Sequence, residues 1–393
     1  MSFFSIWPML AIVAAWIALL CMPRAFQFLD ETPNVSAHRI ETLDGLRGIL
    51  ATAVVFHHLE IKRWTFESGS WGLPPSHFYS ILGQAGVSVF FMITGYLFWG
   101  RLVDRGSDID WLKLYVNRFF RIVPLYLIVV FSYIAAVIYR ADFHVQIPWT
   151  EFASQLIQWL AFGLVKQPPW LLGETRSGSI VGQTWTLYYE WIFYLALPLL
   201  AIFARARNPL AICIAALALI FNVDGLVSEP YRYYVEQFLC GMIAASLLRA
   251  YPDLKGDGPI RSLLALAAAT CAFRFADTAY STLAVVFLGV FFAFIASGTS
   301  LFGVLSLRGA KRLGHISYSI YLLHGLVLTV IMAPSFFGLR AASSPRSFWL
   351  VASCAYAIVI ALSMTTFVIV ERGGIRIGES ICERRSQRGL RRA

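Results

Sequence analysis

The sequence predicts an all-α, polytopic transmembrane helical bundle of about eleven spans, and three observations predict it. Of the 393 residues, 58% are hydrophobic and only 14% charged, where a soluble domain is about a quarter charged. The mean hydropathy is +0.67. Apolar runs of about 17 to 25 residues, the length a helix needs to cross a bilayer core, recur along the chain, and no polar stretch is long enough to enclose a core of its own.

The first run, 5–22, has no Lys or Arg before it and Arg24 after it, unlike a secretory leader. It reads as a retained helix with its N-terminus outside. Ten further runs follow at 46–61, 78–99, 118–139, 183–204, 209–222, 233–249, 260–276, 280–298, 314–337 and 348–370. The piece 152–165 is shorter, and the basic residues decide whether it crosses. If it does, Arg205, Arg207, Arg308, Lys311 and Arg312 all fall outside. If it does not, they lie inside together with Arg101, Arg105, Lys113 and Arg118, as the positive-inside rule requires. The piece 152–165 is therefore interfacial or re-entrant. The exterior loops are then 62–77, 140–182, 223–232 and 338–347. The largest, 140–182, carries Pro148, Pro168, Pro169, Gly173, Gly178 and several tryptophans, a composition suited to irregular structure and to a lid or acceptor platform.

The 32 Lys and Arg against 22 Asp and Glu give a net charge of +10. Positive-inside placement accounts for most of it, so no nucleic-acid partner is expected. Arg372, Arg376, Arg384, Arg385, Arg388, Arg391 and Arg392 follow the last span, and residues 373–393 read as a basic cytoplasmic tail in reach of anionic lipid. The six cysteines are scattered without CxxC or Cys/His ligand spacing, so neither a disulfide framework nor a metal site is expected. No internal repeat, Walker loop, HExxH or GxSxG is present. Chemistry has to come from polar residues in the spans.

Ionisable groups at bilayer depth are costly and mark functional sites; here they are Arg47, His57, His58, Glu190, Glu236, Arg274 and His324. Arg47 and His58 are eleven residues apart. On a helix that is about three turns plus roughly 20°, so both face one way, separated by roughly 16 Å along the axis. A guanidinium binds phosphate bidentately, and a neutral imidazole accepts a proton from a hydroxyl, so the pair suits a long substrate with an anionic end. The spacing leaves a plainer alternative open, in which Arg47 anchors the helix at the interface and His58 packs. Glu190 and His324 fall near the midplane when counted from the ends of their spans, at a depth similar to that of His58. Packing roles remain open for both of them, and an interfacial anchoring role for Arg118 and Arg121.

Leu43-Asp44-Gly45-Leu46-Arg47-Gly48 followed by His58 resembles the start of the acyltransferase-3 family of integral membrane acyltransferases, many of them carbohydrate O-acyltransferases. Four further segments are similar to that family, in the same order: Gly86 to Leu97, Arg118-Phe-Phe-Arg121-Ile-Val-Pro124, Trp185-Thr-Leu-Tyr-Tyr-Glu190 with Phe193-Tyr194-Leu195, and Gly314 to His324 with Ser317, Tyr318 and Tyr321. Two departures stand out. Val116 and Asn117 precede Arg118 where the family has a denser arginine run, and Glu371-Arg372-Gly373 lacks the family's proline.

The resemblance implies a ten-helix acyltransferase core over 41–372, with an extra N-terminal helix and linker in 1–40, in a multi-pass protein of the inner membrane. It implies transfer of an acyl group, acetyl first, from acyl-CoA to a hydroxyl of a carbohydrate or glycolipid acceptor. His58 then serves as general base, or carries the acyl group transiently, with Glu190 as its carboxylate partner. Arg47, Arg118 and Arg121 hold the coenzyme A phosphates, and Asp44, Tyr189, Tyr318 and His324 contact or support substrate. Two alternatives stay open: O-acylation of a lipophilic small molecule such as an antibiotic, and a proton-coupled transporter, although no inverted repeat is visible. The acceptor and the oligomeric state are not legible.

Overall fold

In a bilayer every backbone polar group needs a partner within its own segment, and the chain answers with helices at all eleven apolar runs. The computed structural model describes residues 2–30, 40–106 and 108–390, so Arg391 and Arg392 of the tail lie outside the described residues. In chain order the helices are α1 (Ile6–Leu20), α2 (Glu41–Ser68), α3 (His77–Arg105), α4 (Trp111–Arg140), α5 (Trp149–Leu160), α6 (Trp185–Ala204), α7 (Pro209–Asn222) and α8 (Tyr231–Ala250). There follow α9 (Pro259–Phe275), α10 (Thr282–Ala296), α11 (Arg308–His315), α12 (Ser317–Ile331), α13 (Gly338–Ser343), α14 (Pro345–Thr366) and α15 (Arg372–Leu390). No strand occurs among the described residues. The protein is an all-α, integral membrane helical bundle.

Local chemistry sets several of the boundaries. Asp110 caps α4 by accepting from the Lys113 N–H at 2.9 Å, and Asn208 caps α7 by accepting from the Ala211 N–H at 3.1 Å, with Pro209 at the first helical position, where its missing N–H is harmless. Gly69, at φ 70°, ends α2 in the left-handed region. By length and composition, His77–Arg105, Trp111–Arg140, Gly182–Ala204 and Pro345–Arg385 are each long and apolar enough to cross a membrane, and α11 with α12 makes a fifth if taken as one span.

Two expectations need refinement. Of the 152–165 piece only 152–160 is helical, within the twelve-residue helix α5, about 18 Å long and short of the ~30 Å hydrocarbon core. The 314–337 run is not one helix, because the chain breaks at Ile316 between α11 and α12. The last span in turn runs on through a π-helical turn, Phe367–Glu371, into α15, so the first part of the basic tail is helical.

The chain divides into two compact units. The first holds Met1–Asp108, Leu195–Ser317 and Ala341–Ala352. Its central seam packs α2 against α11 at backbone distance. A Cβ at Gly314 would lie 1.9 Å from the Asp44 carbonyl oxygen, and one at Gly48 would lie 2.6 Å from the Leu313 Cβ, so only glycine permits the approach. α1 docks here through Arg312, which is fully buried. Its guanidinium donates to both oxygens of Asp30, at 2.8 and 2.7 Å, and to the carbonyls of Leu20 and Met22, at 2.7 and 2.8 Å. These bonds hold the Asp30 carboxyl below its ordinary value.

The second unit holds Ile109–Tyr194, Tyr318–Arg340 and Ser353–Ala393. Pro124 lies inside α4 and leaves the Phe120 carbonyl without its helical donor. α15 backs onto that spot, where a Cβ at Gly374 would lie 2.2 Å from the Phe120 oxygen. Tyr318 donates to the Ile122 carbonyl at 2.7 Å.

Candidate active site

In the first unit, α2 carries Asp44, Arg47 and His58. Asp44 is buried in the seam with α11, whereas Arg47 and His58 are half-buried. The glycines that flank Arg47 are therefore packing residues. His58 Nδ1 lies 2.9 Å from the Val54 carbonyl oxygen. A carbonyl oxygen only accepts, so Nδ1 is the donor, and in the neutral ring Nε2 is the proton acceptor. The neighbouring His57 is turned into the core, with Nδ1 donating to the Tyr79 carbonyl at 2.6 Å. Its ring meets that of His58 edge-on at 4.9 Å. The Trp71 ring centroid lies 6.4 Å from that of His58, and Lys62 Nζ sits 5.5 Å over Trp71. Lys62 and Trp71 escaped the sequence reading. For Lys62 the signal was present, since it is four residues from His58 and shares its face.

In the second unit the fold gathers Glu190, Arg118, Arg121 and Tyr318. The Tyr194 hydroxyl donates to Glu190 Oε2 at 2.9 Å, and the Arg118 guanidinium lies close enough to act on the same phenol electrostatically. Arg121, Glu190 and Glu371 all lie close enough to Tyr318 to act on it electrostatically. Glu371, buried at 1% exposure, accepts a short hydrogen bond from Ser319 Oγ, which in turn accepts from Thr366 Oγ1 at 2.9 Å. The π-helical turn that carries Glu371 is a feature often found at functional sites. Glu371 was passed over in the sequence, where only the loss of the proline after it drew notice.

His324 is buried, with its ring 5.9 Å from that of Tyr321. Tyr321 donates to the Gln183 carbonyl at 3.1 Å, and Gln183 Nε2 donates to the Leu322 carbonyl at 2.6 Å, so the segment before α6 is tied to α12. Tyr189 is buried against Trp185 and Tyr188. The second unit thus places two carboxylates, two arginines and two tyrosines in one polar cluster. The first presents a histidine of defined tautomer on the same helix face as an arginine.

A family model described as Acyltransferase domain matches residues 40–368. Among known proteins, the chain is similar to the Exopolysaccharide production protein ExoZ of Rhizobium meliloti, 28% identical over 276 residues, which is 64% of this chain and 78% of that protein. It is 25% identical over 363 residues to Acyltransferase MdmB of Streptomyces mycarofaciens, covering 85% of this chain and 89% of that protein. To the Peptidoglycan O-acetyltransferase OatA of Listeria monocytogenes it is 24% identical over 193 residues, covering 46% of this chain and 27% of that protein. No solved structure matches.

Proposed function

The chain belongs to the acyltransferase-domain family, and from that premise we propose that it transfers an acyl group, acetyl first, from acyl-CoA to a hydroxyl of a carbohydrate. The acceptor class rests on the relatives, since the names of two of them carry a polysaccharide. The observation that carries the mechanism is the Nδ1 bond from His58 to the Val54 carbonyl. It sets the tautomer that a general base needs, at a half-buried position on the helix face of Arg47.

In this reading His58 Nε2 takes the proton of the acceptor hydroxyl as its oxygen attacks the thioester carbonyl carbon. The carbon–sulfur bond breaks, coenzyme A leaves as thiolate, and the imidazolium returns the proton to the sulfur. Arg47, Arg118 and Arg121 bind the phosphates of the donor, because guanidinium forks match phosphate oxygens in pairs. Glu190 is the carboxylate partner of His58 in this reading, and its own orientation is set by the bond it accepts from Tyr194. Tyr189, Tyr318, Asp44 and His324 support the substrates. The donor enters from the cytoplasmic side of the inner membrane, where the basic tail also lies, and the acceptor from the other side.

The test is transfer of radiolabel from acetyl-CoA to endogenous glycan by membranes holding matched amounts of wild type, His58→Ala and Arg47→Ala. Label with wild type alone supports the assignment. Unchanged labelling by His58→Ala refutes the base, and label absent even with wild type refutes acetyl-CoA as donor.

A further inference from the structure

At the end of α4 opposite to Arg118 and Arg121, a pocket of about 380 Å³ opens between Arg140, His144, Gln146, Glu174 and Thr175 over a floor of Val137, Ile147 and Leu172. Its volume is in the range of small-molecule sites. The walls are built, not incidental. The Leu171 N–H donates to the Tyr133 hydroxyl at 2.9 Å, and the Leu172 N–H to Gln155 Oε1 at 3.0 Å. Trp159 stacks on Trp170 and donates to the Pro169 carbonyl at 2.8 Å. Held in this way, Leu172 adopts a φ of 53°, a left-handed conformation that costs a non-glycine residue about 1–3 kcal/mol and is found most often at functional sites.

The chemistry of the lining selects its ligand. Arg140 and Glu174 face each other at 3.8 Å and cancel in charge, so the pocket offers no net attraction to phosphate. His144 Nδ1 donates to the Asp142 carbonyl at 2.6 Å, which makes Nε2 of the neutral ring an acceptor. With the Gln146 amide and the Thr175 hydroxyl, the lining presents donors and acceptors side by side, the complement of a polyhydroxylated molecule. Arg140 lies about 20 Å beyond the midpoint of α4 along its axis. A ligand held here therefore reaches back to the level of that midpoint only if it is a chain.

We propose that this pocket is a docking subsite for a neutral oligosaccharide acceptor, gripping one sugar of the chain while another is acylated. The proposal rests on the carbohydrate reading above and deepens it. The test uses the full chain purified in detergent and a fluorescent, neutral oligosaccharide released from the surface polysaccharide of the producing cells. Ala141→Trp fills the cavity from its edge, and Gln146→Ala with Thr175→Val removes polar lining without touching the Arg140–Glu174 pair. Both are expected to weaken binding, read by anisotropy, at least tenfold, and to raise the oligosaccharide concentration for half-maximal acetyl transfer by the same factor while the KM for acetyl-CoA stays put. Transfer to a monosaccharide, too short to use the subsite, is expected to be unaffected. Binding by both variants equal to that of wild type, or equal loss with mono- and oligosaccharide, overturns the proposal. Binding of the oligosaccharide without any acetyl transfer by wild type keeps the subsite and instead refutes the donor.

Discussion

Gly83 on α3 is where a single added carbon reports on the histidine pair. A Cβ there would stand 2.3 Å from both Cγ and Cδ2 of His57 and 2.8 Å from its Cβ, distances that real Cβ atoms do not tolerate. The ring has little room to retreat, since His57 is 7% exposed and Nδ1 is tied to the Tyr79 carbonyl at 2.6 Å. Overpacking a well-filled core costs about 1–3 kcal/mol, and loss of the hydrogen bond adds about 1 kcal/mol. Gly83→Ala is therefore expected to destabilise the fold by about 2–4 kcal/mol. Because the ring of His58 meets that of His57 at 4.9 Å, the displacement passes to the proposed base. If about 1.4 kcal/mol of it appears in the transition state, acyl transfer falls about tenfold. Thermal unfolding in detergent, followed by tryptophan fluorescence, measures the first effect, and radiolabel transfer at matched protein levels measures the second. Gly72→Ala is the control, since nothing lies within 4 Å of a Cβ there. A Gly83→Ala protein that melts and transfers like wild type, or a Gly72→Ala protein equally impaired, refutes the reasoning.

Tyr194→Phe removes the hydroxyl that donates to Glu190 beside Arg118. Hydrogen bonds to charged groups are worth about 1.5–3 kcal/mol each, so the KM for acetyl-CoA is expected to rise tenfold or more with little change in expression, and an unchanged KM counts against the arginine as a donor ligand. Arg312→Met strips α1 of its clamp. Removing one partner of a buried ion pair costs about 3–5 kcal/mol; with Asp30 38% exposed and able to regain water, about 3 kcal/mol is expected. Limited trypsin digestion should then cleave faster after Arg24, and unaltered cleavage shows that the clamp contributes nothing. Because the Asp30 carboxyl is held below its ordinary value of 3.8, its contribution is present above about pH 4. It is lost only as pH falls through the lowered value, so the ratio of cleavage rates between Arg312→Met and wild type, which cancels the protease's own pH profile, should be flat from neutral pH down to pH 5.

The sequence by itself determined what is local. Apolar runs of crossing length became helices because a backbone in hydrocarbon has no partner but itself. The common facing of Arg47 and His58 follows from helix geometry alone, and a 152–165 piece too short to span is helical only within the short helix α5. The tertiary structure decided whatever depends on residues distant in the chain or on a single hydrogen bond. It set the proton of His58 on Nδ1 by aiming that nitrogen at the Val54 carbonyl, a choice of rotamer that no spacing encodes. It gathered Arg118 and Glu190 around the Tyr194 phenol, and it brought Glu371 to Ser319 by a π-helical turn. It also broke the 314–337 run at Ile316, although hydropathy is continuous across that point. Gly48 and Gly314 show the difference most plainly. In the sequence they are part of a motif with no stated task, and only the packed seam reveals that α2 and α11 approach so closely that a methyl group has no space.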